Sequence, residues 1–452
     1  MSLLNSLKGG GRHGVPSGDQ RDAMGVLLAT VQKVTTSSLL DRLGMRKQAE
    51  QLVFTSTSGG FRVAAAAGRT WQKVGSQKAG VRASRSAGDG VFDLTPTEDE
   101  QMLVDVVGEY AAELVRPAAA AADEACATPP EVLAAGLEIG LPMLGVPEAL
   151  GGIAETRSAM AGTLVAEALA RGDMGIAVAA LAPGAVATAL GLWGTEEQQR
   201  TYLPAFTGEK TTPAATLALS EPRVLFDPLE PATTATRTDD GFLLSGTKSA
   251  VVRGAEAELF VVGATLDGLP TLFLLESGPP GLEVEADPSM GLRAAALTRL
   301  TLTDVRIPAG NVLGDADSYR ECVRLSRLAW CALSLGTAQA VLDYVTPYVK
   351  ERQAFGEPIA HRQSVAFMVA NIAIELQAMR ALTYKAASRA ARGKDVARDV
   401  AWARKLCAEK AMQIGNDGVQ LLGGHGFIKE HPVERWYRDL RAIGLMEGAV
   451  LV

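Results

Sequence analysis

The stretch that most limits what this chain can fold into is Gln420-Leu-Leu-Gly-Gly-His-Gly-Phe427, together with the segment that runs on to Met446-Glu447-Gly448. A long apolar-periodic run leads into Gly423, Gly424 and Gly426. Glycine reaches the left-handed conformations that end helices without steric cost, so the run reads as a helix terminating there. A second helical pattern, Pro432 to Arg441, opens with proline where a first turn tolerates it and sets Trp436 and Leu440 among dense charges. Glu447 then follows Ile443, Leu445 and Met446 and precedes Gly448. Taken alone, most such glutamates are solvated charges. Long apolar stripes, few β-branched runs and breaks at Gly393 and Gly423 give residues 321–452 the pattern of a four-helix-type bundle.

Charge separates the other end of the chain. Residues 1–92 hold 13 Lys/Arg against 5 Asp/Glu, a net of +8, which leaves −15 on the remaining 360 residues. This segment reads as a basic extension, partly helical or disordered, with one amphipathic candidate helix at about 21–53 and a Gly/Ala/Ser/Arg-rich stretch after it. A mobile arm with a partner-binding helix is the simplest account, and a membrane-surface anchor or nucleic-acid arm the alternatives. From Leu94-Thr-Pro-Thr-Glu-Asp-Glu100 the chain turns strongly helical. Thr95 is the expected N-cap, with Pro96 at the first helical position and acidic residues in the first turn. Apolar-periodic segments at about 131–139, 157–170, 175–191 and 196–206 complete an all-α domain over 93–211. Between 212 and 320 the period falls toward 2, with strands at 258–264 and 269–275 between Asp-Gly and Ser-Gly-Pro-Pro turns. Short strands without intervening helices imply a mainly antiparallel β domain.

The remaining composition excludes several classes. Cys126, Cys322, Cys331 and Cys407 form no CxxC pair, and the four histidines lack metal-ligand spacing, so a reducing, cytoplasmic compartment and no metal are expected. No apolar run is read as long enough for a membrane span, and no signal-peptide core opens the chain. Nucleophile-elbow, Walker and GxGxxG signatures are lacking.

Arg352-Gln-Ala-Phe355-Gly356, Gln363, Gln420-Leu-Leu-Gly-Gly-His-Gly, Arg438-Asp439 and Glu447-Gly448 together resemble, in order and spacing, the carboxy-terminal domain of the acyl-CoA dehydrogenase family. The likeness extends over about 95–448, through Gly136–Gly152 and the exit from the β domain at Leu302–Gly314. It implies an α+β, mainly α architecture: helical domain, β domain, helical bundle. It implies FAD lying between the β domain and bundle of one subunit and the bundle of another, hence a homo-oligomer or a hetero-oligomer with a related subunit. Arg352 would grip the pyrophosphate. Phe355 would pack on the cofactor, and Gln363, Gln420, Gly423 and Gly424 would hold its adenosine and phosphate portions. Ser220 would keep the hydroxyl that contacts flavin and thioester.

The implied reaction is α,β-dehydrogenation of an acyl-CoA to the trans-2-enoyl-CoA, as in fatty-acid β-oxidation, with an electron-transferring flavoprotein as acceptor. Glu447 would remove the α proton, its backbone N–H would meet the thioester oxygen, and Arg327 and Gly448 would flank the acyl-CoA. Some relatives carry the base on the first bundle helix. The corresponding position, counted back from Arg352, is Ser326, which leaves Glu447 alone in the role. Several departures support a second reading, a weak or inactive subunit or scaffold that completes a partner's site. Arg223, Leu225 and Phe226 replace two glycines and a serine, and Ala250-Val251-Val252 replaces a Trp-Ile-Thr beside the flavin. Pro347 is expected to kink its helix. The resemblance also implies a further helix after Gly448, where this sequence ends at Val452.

Overall fold

In the computed structural model, residues 96–152, 157–208 and 211–452 are described; the candidate helix at 21–53, the basic extension and Thr95 fall outside them. The first helix, α1, spans Glu98–Tyr110 and begins later than the sequence suggests. Thr97 is its N-cap, because Glu100 lies three residues on and closes a reciprocal capping box. A π-helical turn over Ala111–Val115 leads into α2 (Arg116–Ala125), then α3 (Pro130–Glu138), α4 (Ala159–Ala170), α5 (Met174–Trp193) and α6 (Glu196–Tyr202).

Helix α5 corrects one expectation. Its 20 residues hold no charge, and with a mean hydropathy of 1.9 it is long and apolar enough to cross a membrane. The missing polar face has a packing cause: 83% of that window is buried inside the protein, where a helix apolar all round belongs. The helices Ala316–Glu351 and Gln363–Ala390 meet the same criterion of length and composition.

The β domain comprises β1 (Ala215–Ala218), β2 (Thr234–Arg237), β3 (Gly241–Val252), β4 (Leu259–Leu266), β5 (Leu269–Glu276), β6 (Leu282–Ala286), β7 (Leu297–Pro308) and β8 (Val312–Leu313). They form one sheet in the order β6-β7-β3-β2-β4-β5-β8, with β1 beside β4. Pairing is antiparallel except at β1–β4 and β2–β4. Inside, Lys248 and Glu221 pair at 2.8 Å, both buried, and Glu221 also accepts from Ala232 N–H, Thr233 N–H and the Thr233 hydroxyl. Burial alone raises the Glu221 pKa, but Lys248 and these donors outweigh it and the net shift is downward. The hub fixes the chain next to Ser220.

The C-terminal part has three long helices, α7 (Ala316–Glu351), α8 (Gln363–Ala390) and α9 (Ala397–Leu422), and a short α10 (Val433–Leu440). Helix α7 runs unbroken through Pro347, whose missing N–H leaves the Asp343 carbonyl without its helical donor. A two-stranded hook, β9 (Gln353–Ala354) against β10 (Glu357–Pro358), reverses the chain before α8. Helix α8 differs from its neighbours: only 17% of its most apolar window is buried, and Phe367 and Ile374 are exposed at 57% and 64%. The short α10 is pinned by charge. Arg435 pairs with buried Asp173, Arg438 with Asp123 and Glu434, and Asp439 accepts the Leu292 N–H at 2.6 Å.

Burial, and then the charge of Asp173, push the Asp439 pKa up to about 8. The native state therefore keeps a proton that an unfolded aspartate releases near pH 4. Stability from this group is present at low pH and is lost as pH rises through about 8, at up to roughly 1.4 kcal/mol per pH unit. Asp439→Asn preserves the acceptor for Leu292 and removes the titration. Thermal melts of both proteins at pH 5 and pH 8 should show the wild type losing ground to the variant as pH rises.

Candidate active site

Glu447 sits on the segment after α10, buried to 8% exposure, and is held from every side. Arg327 on α7 grips its carboxylate with Nε at 3.0 Å from each oxygen and Nη2 at 2.8 Å from Oε1. Arg404 on α9 adds Nη2 at 3.4 Å from Oε1 and donates to the Met446 carbonyl at 2.7 Å. Burial lowers the Arg404 pKa, Glu447 opposes that shift, and its buried Nη1 has no hydrogen-bond partner. The backbone is fixed as firmly. Ser326 Oγ and Trp330 Nε1 both donate to the Gly448 carbonyl, at 2.8 and 2.9 Å. Ser220 Oγ donates to the Glu447 carbonyl at 3.1 Å and accepts the Glu447 N–H at 3.3 Å. Gly448 has φ +73°, and a Cβ there would stand 3.0 Å from Leu219, so the turn needs glycine.

Ser326 is thus a tether for the Glu447 segment. Beside the pair lies a cavity of about 200 Å³ walled by Arg320, Arg324 and Arg327 with Leu229, Val323 and Val400. The three arginines stand at i, i+4 and i+7, a stripe on one face of α7 that the spacing displays, although only Arg327 is expected from the family resemblance. Arg404 carries no such signal, since it reaches Glu447 only through the packing of α9 on α7.

The other site residues lie at the far end of α7. Arg352 is its C-cap, 25 residues beyond Arg327, about 37 Å along the helix at 1.5 Å per residue. Phe355 follows in the hook with its ring 93% exposed and the Arg362 guanidinium 4.9 Å from its centroid. Gln363 is exposed at the start of α8, a helix with no side-chain N-cap. Gln420, Gly423 and Gly424 belong to this end too, because Tyr348, one turn before Arg352, meets His425 at 3.1 Å. A single chain therefore does not bring Arg352 and Glu447 together.

These residues suit a dinucleotide. Arg352 is exposed, the start of α8 has no side-chain N-cap, and a Cβ at Gly423 or Gly424 would meet only open space. At the other end the donors thin out. Val251 and Val252 are buried and apolar, and Ser220, whose carbonyl accepts the Ser249 N–H, supplies the side-chain hydroxyl. Leu225, where a glycine would be at ease, holds φ +56° and is 94% exposed.

A helical domain, a β sheet and a helical bundle, with a buried carboxylate beside the first bundle helix and an exposed Arg352 at that helix's far end, are the frame in which the comparisons fall. Family models for the N-terminal, middle and C-terminal domains of acyl-CoA dehydrogenase match residues 97–210, 216–305 and 317–450. The chain is 31% identical over 366 residues to the short/branched chain specific acyl-CoA dehydrogenase of Bos taurus mitochondria, covering 78% of this chain and 83% of that one. It is 30% identical to the cyclohexane-1-carbonyl-CoA dehydrogenase of Geobacter metallireducens, covering 78% and 94%. The solved butyryl-CoA dehydrogenase of Megasphaera elsdenii superposes with a TM-score of 0.71 at 29% identity, covering 78% of this chain and 95% of that one. The protein belongs to the acyl-CoA dehydrogenase family, whose members are FAD-dependent oxidoreductases.

Proposed function

We propose that the protein converts an acyl-CoA to the trans-2-enoyl-CoA, with Glu447 as the base. The observation that supports this most is a buried carboxylate held at the edge of an arginine-lined cavity. Arg320, Arg324 and Arg327 suit the phosphates of coenzyme A entering along α7. Arg327 is 30% exposed and so has room to withdraw from Glu447 toward an arriving anion, which frees a carboxylate oxygen for the α proton. The Glu447 N–H, now on Ser220, is the donor available to the thioester oxygen. Bound FAD supplies the acceptor for the β-hydrogen. Arg352, Phe355, Gln363, Gln420, Gly423 and Gly424 hold its phosphate and adenosine portions from a second copy of the chain or a related subunit. The 37 Å separation and the bare apolar face of α8 support that sharing. An electron-transferring flavoprotein is the proposed acceptor, and the free cysteines support a cytoplasmic site.

The second reading, a subunit that completes a partner's centre, is favoured by the full engagement of Glu447 and by the apolar Val251–Val252. Anaerobic mixing of the purified protein with a panel of acyl-CoAs separates the two. Bleaching of the flavin band is the expected result. A protein that holds FAD and is reduced by no acyl-CoA would support the second reading, and one that takes up no FAD would overturn the first.

A further inference from the structure

Glu447 is paired with two arginines that differ in exposure and in reach. Arg327 on α7 contacts both carboxylate oxygens and is 30% exposed, at the edge of the arginine-lined cavity. Arg404 on α9 is 12% exposed and contacts one oxygen, Oε1 at 3.4 Å. The same Nη2 donates to the Met446 carbonyl at 2.7 Å, which ties the guanidinium to the backbone just before Glu447. Arg404 shares a face of α9 with Cys407 and Ala411, at i, i+3 and i+7, and both of those are buried. It is thus a charge set into a buried apolar stripe, and among the described residues Glu447 is its one ion-pair partner. Removing either partner of such a pair leaves the other charge uncompensated.

We propose that Arg404 is a positioning residue for the base: it keeps Glu447 ionised and aimed once Arg327 has moved to the phosphates of an incoming acyl-CoA. This rests on Glu447 as the base. Three observations carry it. Arg327 occupies both carboxylate oxygens, whereas Arg404 touches Oε1 alone, so with Arg327 gone Oε2 is free for the α proton while a cation still holds its neighbour. A buried carboxylate left without any cation takes up a proton, and a protonated base accepts none from the substrate. Arg404 is the one other cation within ion-pair distance of Glu447 among the described residues. Its bond to Met446 fastens it to the Glu447 segment, so it does not follow Arg327 toward the anion. The other groups facing the pair do not replace it: Ser220 meets the Glu447 backbone, burial raises the Tyr319 pKa and keeps that phenol neutral, and Cys331 and Cys407 lie beside Arg404.

The test uses the full-length flavin-loaded protein, with butanoyl-CoA as reductant and the rate of flavin bleaching followed against pH. Arg404→Met keeps an apolar stem without the charge, and Arg404→Lys keeps the charge. The acid limb of the rate profile should rise in Arg404→Met by about 1–3 pH units, the span that an opposite charge at this range commands, with thioester affinity close to that of wild type. In Arg404→Lys the limb should stay near its wild-type place. Arg404→Gln, whose amide donates to the Met446 carbonyl without a charge, is read instead if the methionine variant does not fold. An infrared measurement needs no turnover. With coenzyme A as the anion that draws Arg327 away, a protonated-carboxyl band should appear in Arg404→Met at neutral pH, be missing from wild type, and vanish when Glu447→Gln is added. An unmoved limb in a folded Arg404→Met or Arg404→Gln protein, or a lysine variant as impaired as the methionine one, overturns the role of Arg404 and leaves Glu447 as the base. Glu447→Gln reduced as fast as wild type overturns the base itself, and the role of Arg404 with it.

Discussion

Glu447→Gln should slow flavin reduction by acyl-CoA roughly 10²–10⁴-fold, the usual loss when a general base is removed. Glutamine keeps the length of the side chain and an acceptor for Arg327, but its amide cannot take the α proton. The surrounding anchors are untouched: Ser326 and Trp330 hold Gly448, and Ser220 holds the Glu447 backbone, whichever side chain is present. Binding of the thioester should therefore survive while the chemical step fails. Stopped-flow bleaching, with thioester affinity measured separately, distinguishes the two effects. Equal reduction rates in wild type and variant would remove Glu447 from the reaction. A loss of affinity without a loss of rate would make it a structural partner of Arg327 instead.

The long-range architecture was legible because period and punctuation carry it. The strands expected at 258–264 and 269–275 are observed at Leu259–Leu266 and Leu269–Glu276, and the helix expected to end at Gly423 does end there with φ +58°. Local choices between equivalent residues were less legible. Thr95 and Thr97 both flank Pro96, and only the reciprocal bond to Glu100 selects Thr97. Helix α5 shows the reverse difficulty, since an apolar segment long enough for a bilayer and one buried in a large core read alike until the neighbours are known. The site followed the same division. Glu447, Arg327 and Arg352 stand in recognisable motifs. Arg404 and Trp330 act on Glu447 and Gly448 across α9 and α7, so their meaning depends on which helix faces which. Sequence spacing does not record that.

The wide separation of Arg352 from Glu447 makes complementation between defective chains the sharpest check of a shared cofactor site. In the proposed cofactor site Arg352→Ala would remove a charged fork from the pyrophosphate, and charge-assisted hydrogen bonds of that kind are each worth roughly 1.5–3 kcal/mol, so FAD retention should fall about tenfold or more. Alone, each of Arg352→Ala and Glu447→Gln should be nearly inactive. In a mixed oligomer the outcome depends on which chain supplies which end. If one copy gives Glu447 and its neighbour gives Arg352, a mixed pair contains one site with both residues intact and one with both replaced. Random mixing of two chains in symmetric pairs then makes half the pairs mixed, each with half its sites whole, and activity should return to about a quarter of wild type. If a single chain supplied both ends, every site would carry one defect and mixing would restore nothing. Co-expression with two affinity tags isolates the mixed species, where about half of the wild-type rate per oligomer is expected. Because α7 is a continuous helix from Ala316 to Glu351, no rearrangement short of breaking it brings the two residues of one chain together, so activity in the mixed species has to come from sites built across the subunit boundary.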